Sequence, residues 1–90
     1  MISDESRRIG LRIREERIKR GMTQNALGYA IGYTGSKIHR LEYGYHEITA
    51  ELTAAIARAL GIRLSEMLKP SRFHSASFIT AKTIRGSGKT

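Results

Sequence analysis

Seven consecutive residues, Gly35-Ser36-Lys37-Ile38-His39-Arg40-Leu41, place a hydroxyl, an ammonium, an imidazole and a guanidinium around two aliphatic side chains. Such groups bond to base edges and phosphate oxygens, and the run carries no negative charge to oppose them. The spacing sorts the residues by face. Ile38 and Leu41, three apart, turn one side of a helix inward, which leaves Gly35, Ser36, Lys37, His39 and Arg40 outward. Gln24 and Thr34 stand at the starts of two consecutive predicted helices. Unpaired backbone N–H groups and the helix dipole attract a phosphate there, so both residues are expected to fix orientation on a duplex. Tyr43 and Tyr45 follow, each joining a ring that covers apolar surface to a phenol that can donate to phosphate; ordinary surface tyrosines are the alternative. The chemistry expected of this constellation is noncovalent binding of double-stranded DNA.

Positioning those groups requires short helices and tight turns, and the sequence supplies the signals for both. Thr23 is placed to cap a helix whose apolar residues Ala26, Leu27, Ala30 and Ile31 recur at helical spacing, and Gly32 stops it. Thr34 caps the next helix, which ends before Gly44. Upstream, residues 4–20 predict a longer helix with Asp4 and Glu5 at its positive end and Lys19 and Arg20 at its negative end. Ile9 and Ile13 form its inward stripe, while Leu11 and Ile18 form a second apolar line, read as a wide core face or a partner surface. Downstream, Thr49 caps a fourth helix with Leu52, Ile56 and Leu60 as its buried stripe. Gly61 ends that helix, and residues 64–68 make a fifth.

Taken in order, these signals resemble the lambda-repressor/Cro-type (xenobiotic-response-element) helix-turn-helix family of bacterial and phage regulators. The resemblance runs from about Ile9 to Leu68. It rests on Ile9-Gly10, Ile13-Arg14, Arg17, Gly21-Met22-Thr23-Gln24, Leu27-Gly28, Ile31-Gly32-Tyr33-Thr34, Ile38, Leu41-Glu42, Gly44, Ile56-Ala57, Ala59-Leu60-Gly61 and Leu64. It implies an all-α, five-helix domain with the helix-turn-helix at about residues 23–43. It implies base reading from Gly35, Ser36 and Lys37, with a further contact one turn later from Arg40. Gly35 has no side chain to read with, so close approach of its backbone to DNA is the expected use. Lys37 and Arg40 suit guanine O6 and N7, with phosphate as the alternative end point. The resemblance also implies that Arg17 and Glu42 form a structural ion pair between the first and third helices, and that Tyr33 replaces a buried aliphatic residue and belongs to the core. Three departures bear on packing: Glu16 and Thr53 stand where the family has large apolar residues, and Arg63 where a Ser or Thr cap is usual.

Composition fits this reading. Ninety residues bound the chain to one small domain with a modest core, which oligomerisation would help to stabilise. Sixteen Lys and Arg against eight Asp and Glu give a net charge of +8, suited to a polyanion. No apolar run approaches the ~18 residues of a spanning helix, the first residues lack the order of a signal peptide, and there is no cysteine; a cytoplasmic location is expected. Residues 1–69 form the predicted domain. Residues 70–90, with no acidic residue, form a basic tail, either disordered or an extension that binds a second subunit or a protein partner. Within it Phe73, Ser75, Ser77, Ile79 and Ala81 alternate as a strand would. The terminal Gly86-Ser87-Gly88-Lys89-Thr90 mimics a phosphate-binding loop but has Thr83 where that pattern needs glycine. His39 and His46 could add pH-dependent phosphate contacts. Three scattered histidines without cysteine give no metal site, and no cofactor or enzymatic activity is expected.

The functional expectation is therefore a transcriptional regulator, most simply a repressor, acting as a homodimer on a pseudo-palindromic operator with recognition helices about 34–36 Å apart. An antitoxin-type protein whose tail binds a partner, with autoregulatory DNA binding, is the alternative, and nonspecific coating of nucleic acid a third reading.

Overall fold

The protein is described by a computed structural model covering residues 2–70; the expectations for Phe73 to Ala81 and for the Gly86–Thr90 run lie outside the described residues. Five helices follow one another: α1 (Asp4–Lys19), α2 (Gln24–Ala30), α3 (Gly35–Glu42), α4 (Ala50–Leu60) and α5 (Leu64–Met67). Their ends are set locally. The hydroxyls of Thr23, Thr34 and Thr49 accept from the backbone N–H groups of Ala26 (2.9 Å), Lys37 (3.1 Å) and Leu52 (3.1 Å). Ser3 does the same for α1 from the Ser6 N–H at 3.1 Å, serine being a preferred residue at this position. Each such cap stabilises its helix by about 1 kcal/mol. Arg63, as its residue type implied, supplies no side-chain cap to α5. In the turn between α2 and α3, Gly32 takes φ of +79°, a left-handed conformation that a side chain would oppose.

The core lies where all five helices meet, built from Ile9, Ile13, Leu27, Ile38, Leu41, Ile56, Ala57, Leu60 and Met67. Fully burying one such Leu or Ile contributes about 1.5–3 kcal/mol. Gly10 lets α1 cross close over the end of α3, because a Cβ there would stand 2.2 Å from the Leu41 carbonyl oxygen. On α4 the inward side is Thr53, Ile56, Ala57 and Leu60, while Leu52 is only half-buried on the flank. Thr53 is tolerated in that interior because its hydroxyl donates to the Thr49 carbonyl at 2.9 Å.

Leu52 in the expected α4 stripe, Tyr33 and the Leu11–Ile18 line are the burial expectations that the structure corrects. On α2, Ala26 and Ala30 are exposed, so the helix contributes Leu27 and Gly28 to the interior and half-buried Ile31 to its edge. Tyr33 is 42% exposed rather than core, because it sits on the outer side of the α2–α3 turn with Lys37 over its ring. Ile18 is exposed and Leu11 half-buried, so the second line on α1 is not a widened core face.

Glu16 and Arg12, both buried on α1, replace apolar packing with a charge network. Glu16 accepts from Arg12 and Arg20, with Lys19 3.4 Å away, and Arg12 lies 3.6 Å from Glu15 and 3.9 Å from Glu66 on α5. Burial alone would raise the Glu16 pKa. The hydrogen bonds from Arg12 and Arg20, with the charges of Arg12 and Lys19, reverse that and hold it at about 2. Arg12 Nε remains buried without a hydrogen-bond partner.

Candidate nucleic-acid interface

Helix α3 lies against α2 and α1 with Ile38, Leu41 and Glu42 inward, and this fixes what it can offer outward. Ser36, His39, Arg40 and Tyr43, spaced three or four apart, are all exposed on one face. Gln24 and Asn25, from the first turn of α2, join Gly35, Ser36, His39 and Arg40 around an open cleft between the two helix starts. The cleft is lined by amides, a hydroxyl, an imidazole and a guanidinium, the donor and acceptor set that base edges and phosphates require. Neither α2 nor α3 has an acidic residue in its first turn, so both dipoles present uncompensated positive ends on this side.

Aromatic rings extend the surface beyond the helix. His39 and Tyr43 stack with ring centroids 4.4 Å apart, and Tyr43 and Tyr45 continue the stack at 6.5 Å. Tyr45 is 63% exposed, so the three rings form a wall from mid-helix into the following loop. Lys37 stands apart from that face. It is half-buried, and its Nζ lies 5.9 Å from the centre of the Tyr33 ring, within cation–π range.

Two residues singled out by sequence have further work within the fold. Gln24 is half-buried and donates from Nε2 to Glu42 at 3.1 Å. Thr34 uses its oxygen as the α3 cap. Gly35 is buried, not laid bare for a backbone approach: a Cβ there would fall 1.9 Å from Asn25 Oδ1. The missing side chain thus makes room for Asn25, a cleft residue that sequence reasoning passed over. Asn25 is adjacent to Gln24 in the same first turn, but only the α2–α3 approach reveals its place.

The whole face is held by one lock. Arg17 Nε donates to Glu42 Oε2 at 2.6 Å and Nη2 to Oε1 at 3.1 Å, while Nη1 donates to the Met22 carbonyl at 2.7 Å. The Glu42 side chain is fully buried and Arg17 is 12% exposed. Bidentate pairing of this kind has directional strength that a lysine would lack. Arg17 and Glu42 therefore tie α1, the lead-in to α2 and the end of α3 into one unit, and Gln24 adds the start of α2.

A pair of short helices joined through a glycine turn, with the second held rigidly and its outer face polar and basic, is a helix-turn-helix. Residues 8–68 match the family profile of the helix-turn-helix domain, and the chain belongs to that family, with the lambda-repressor-like five-helix arrangement of its DNA-binding transcription regulators. Among solved structures it is similar to the clp gene regulator ClgR from Corynebacterium glutamicum, with a TM-score of 0.70 at 27% identity over 73% of this chain and 86% of that one. It is also similar to the restriction-modification controller protein C.AhdI from Aeromonas hydrophila, with a TM-score of 0.67 at 26% identity over 72% of this chain and 98% of that one. No curated protein sequence matches it. Among the described residues no helix is long and apolar enough to cross a membrane, and no cluster of His, Asp or Glu could hold a metal ion.

Proposed function

We propose that this protein is a sequence-specific transcriptional repressor that acts in the cytoplasm as a homodimer, inserting α3 of each subunit into successive major grooves of a pseudo-palindromic operator. The observation that carries the reading is the single exposed face of Ser36, His39, Arg40 and Tyr43 on a helix locked by Arg17 and Glu42. Arg40 reads guanine from the centre of that face. Ser36 and Asn25 contribute adaptable hydrogen bonds beside it. Gln24 and Thr34 bind phosphate at the helix starts, and Lys37, Tyr43 and Tyr45 follow the backbone on either side. The dimer draws support from α5, where Leu64 and Leu68, four apart, are 45% and 48% exposed. The two structural neighbours are described as a gene regulator and a controller protein, which favours regulation over nonspecific coating.

Selection from a random duplex pool at physiological salt tests this. A two-fold-symmetric consensus bound at least ~10³-fold more tightly than scrambled DNA supports the reading. Arg40→Ala should then cost ~1–3 kcal/mol on the consensus and little on scrambled DNA. Lys37→Ala, by contrast, should weaken both alike. Absence of any enriched sequence overturns specific recognition, and a monomer mass independent of concentration in sedimentation overturns the dimer.

A further inference from the structure

A second cleft, distinct from the one between the helix starts, runs between α1 and the end of α3. Arg7, Leu11 and Arg14 line it on α1, facing Tyr43 and Gly44. The three α1 residues, four and three apart, share one helix face. Arg7 is 53% exposed, and its stem crosses Gly44: a Cβ at that glycine would stand 3.3 Å from Arg7 Cγ. The start of α1 is fixed beside that loop. Glu47 accepts from the Ser3 N–H (2.6 Å) and from the hydroxyls of Ser3 (3.0 Å) and Ser6 (2.8 Å), and Ser6 Oγ accepts from the Ile48 N–H at 2.9 Å. Glu42 also borders the cleft, but its side chain is fully buried and its carboxylate is engaged by Arg17 and Gln24. The cleft opens beside Tyr43, and Tyr43 stacks on His39, so the surface is continuous with the outer face of α3.

We infer that this cleft grips the DNA sugar–phosphate backbone flanking the base pairs that α3 reads, with Arg7 and Arg14 on phosphate oxygens and a deoxyribose against Leu11 and the Tyr43 ring. Two cations set around an apolar floor match a sugar–phosphate segment better than a free anion, which would leave Leu11 in contact with charge. Arg7 is spared for the role, since its bridge to the 96%-exposed Asp4 spans 3.4 Å and contributes little in water. The inference rests on the DNA-binding reading and extends the contact surface from α2 and α3 to α1.

Binding of the full chain to the selected duplex and to a scrambled duplex, followed by fluorescence anisotropy from 50 to 200 mM salt, decides it. Each phosphate contact contributes ~0.9 to the slope of log affinity against log salt. Arg7→Ala should therefore weaken binding to both duplexes alike and reduce the loss across that salt range by about 3.5-fold. Arg7→Lys should restore the slope, since lysine keeps the charge. Arg14→Ala should act as Arg7→Ala does; if its thermal melt shows unfolding, exposed Arg7 decides alone. Unchanged slopes in Arg7→Ala, with Arg40→Ala still losing the consensus, overturn the cleft while leaving the regulator reading intact. If no duplex is selected, the regulator reading fails, and the Arg7 slope on scrambled DNA still tests the cleft.

Discussion

Replacing Arg17 by methionine isolates the lock between α1 and α3. Methionine keeps the stem but removes two hydrogen bonds to Glu42 and one to the Met22 carbonyl. The Glu42 side chain, fully buried, would retain only the Gln24 amide as donor. A stranded buried charge of this kind costs about 3–5 kcal/mol, and the charge-assisted hydrogen bond to the Met22 carbonyl contributes about 1.5–3 kcal/mol more. Against the ~5–15 kcal/mol that holds a typical domain together, this is a large fraction. At ~4–8 °C per kcal/mol for a domain of this size, the melting temperature should fall by at least about 20 °C. Thermal unfolding followed by circular dichroism measures it. The double variant Arg17→Met with Glu42→Leu should recover most of the loss, because both charges leave together. The reasoning is refuted if Arg17→Met costs less than about 1 kcal/mol, or if the double variant costs the sum of the singles. DNA binding by the surviving folded fraction should keep its salt slope, since Nε, Nη1 and Nη2 of Arg17 are all engaged within the fold.

Acid should unfold the protein partly through Glu16. Its folded pKa of about 2 lies below the ordinary 4.5, so its contribution is complete above pH 4.5 and fades as pH falls toward 2. At ~1.4 kcal/mol per unit, reduced by solvent screening, about 2 kcal/mol is at stake. Glu16→Gln should be less stable at pH 7 and flatter between pH 4.5 and 2; parallel loss in both proteins would overturn the network's role. Glu47, held low by the Ser6 and Ser3 hydrogen bonds, and Glu66, held low by Lys69, add slope of the same sign. Among the glycines, Gly10→Ala meets the Leu41 backbone and should cost about 3 kcal/mol in a denaturant titration, the upper end for overpacking. Gly35→Ala meets mainly the movable end of Asn25, so it should cost clearly less than Gly10→Ala in the same titration. Equal losses in the two would show that the contact atoms do not set the cost.

Sequence alone determined what short-range physics controls. The threonines before α2, α3 and α4, and the glycines at the turns, set helix ends through bonds spanning three or four residues, and these were legible in order. The inward pair Ile38 and Leu41 turned Ser36, His39 and Arg40 outward for the same reason, helical period being local, but the same reading put Gly35 and Lys37 outward, where the fold buries one and half-buries the other. The Arg17–Glu42 pair was legible only through resemblance, since 25 residues separate the partners. Tertiary structure decided the rest. A charge such as Glu16 can lie in the interior only where neighbours neutralise it, and Arg12, Arg20 and Lys19 become those neighbours once α1 is a helix packed against the others. Tyr33 is polar at one end and apolar at the other, so the path of its turn, not its composition, left it outside. Gly35 and Asn25 are ten positions apart in the chain, and only the approach of α2 to α3 turned an absent side chain into space for an amide. Burial and contact are properties of pairs of surfaces, and the fold brings those surfaces together.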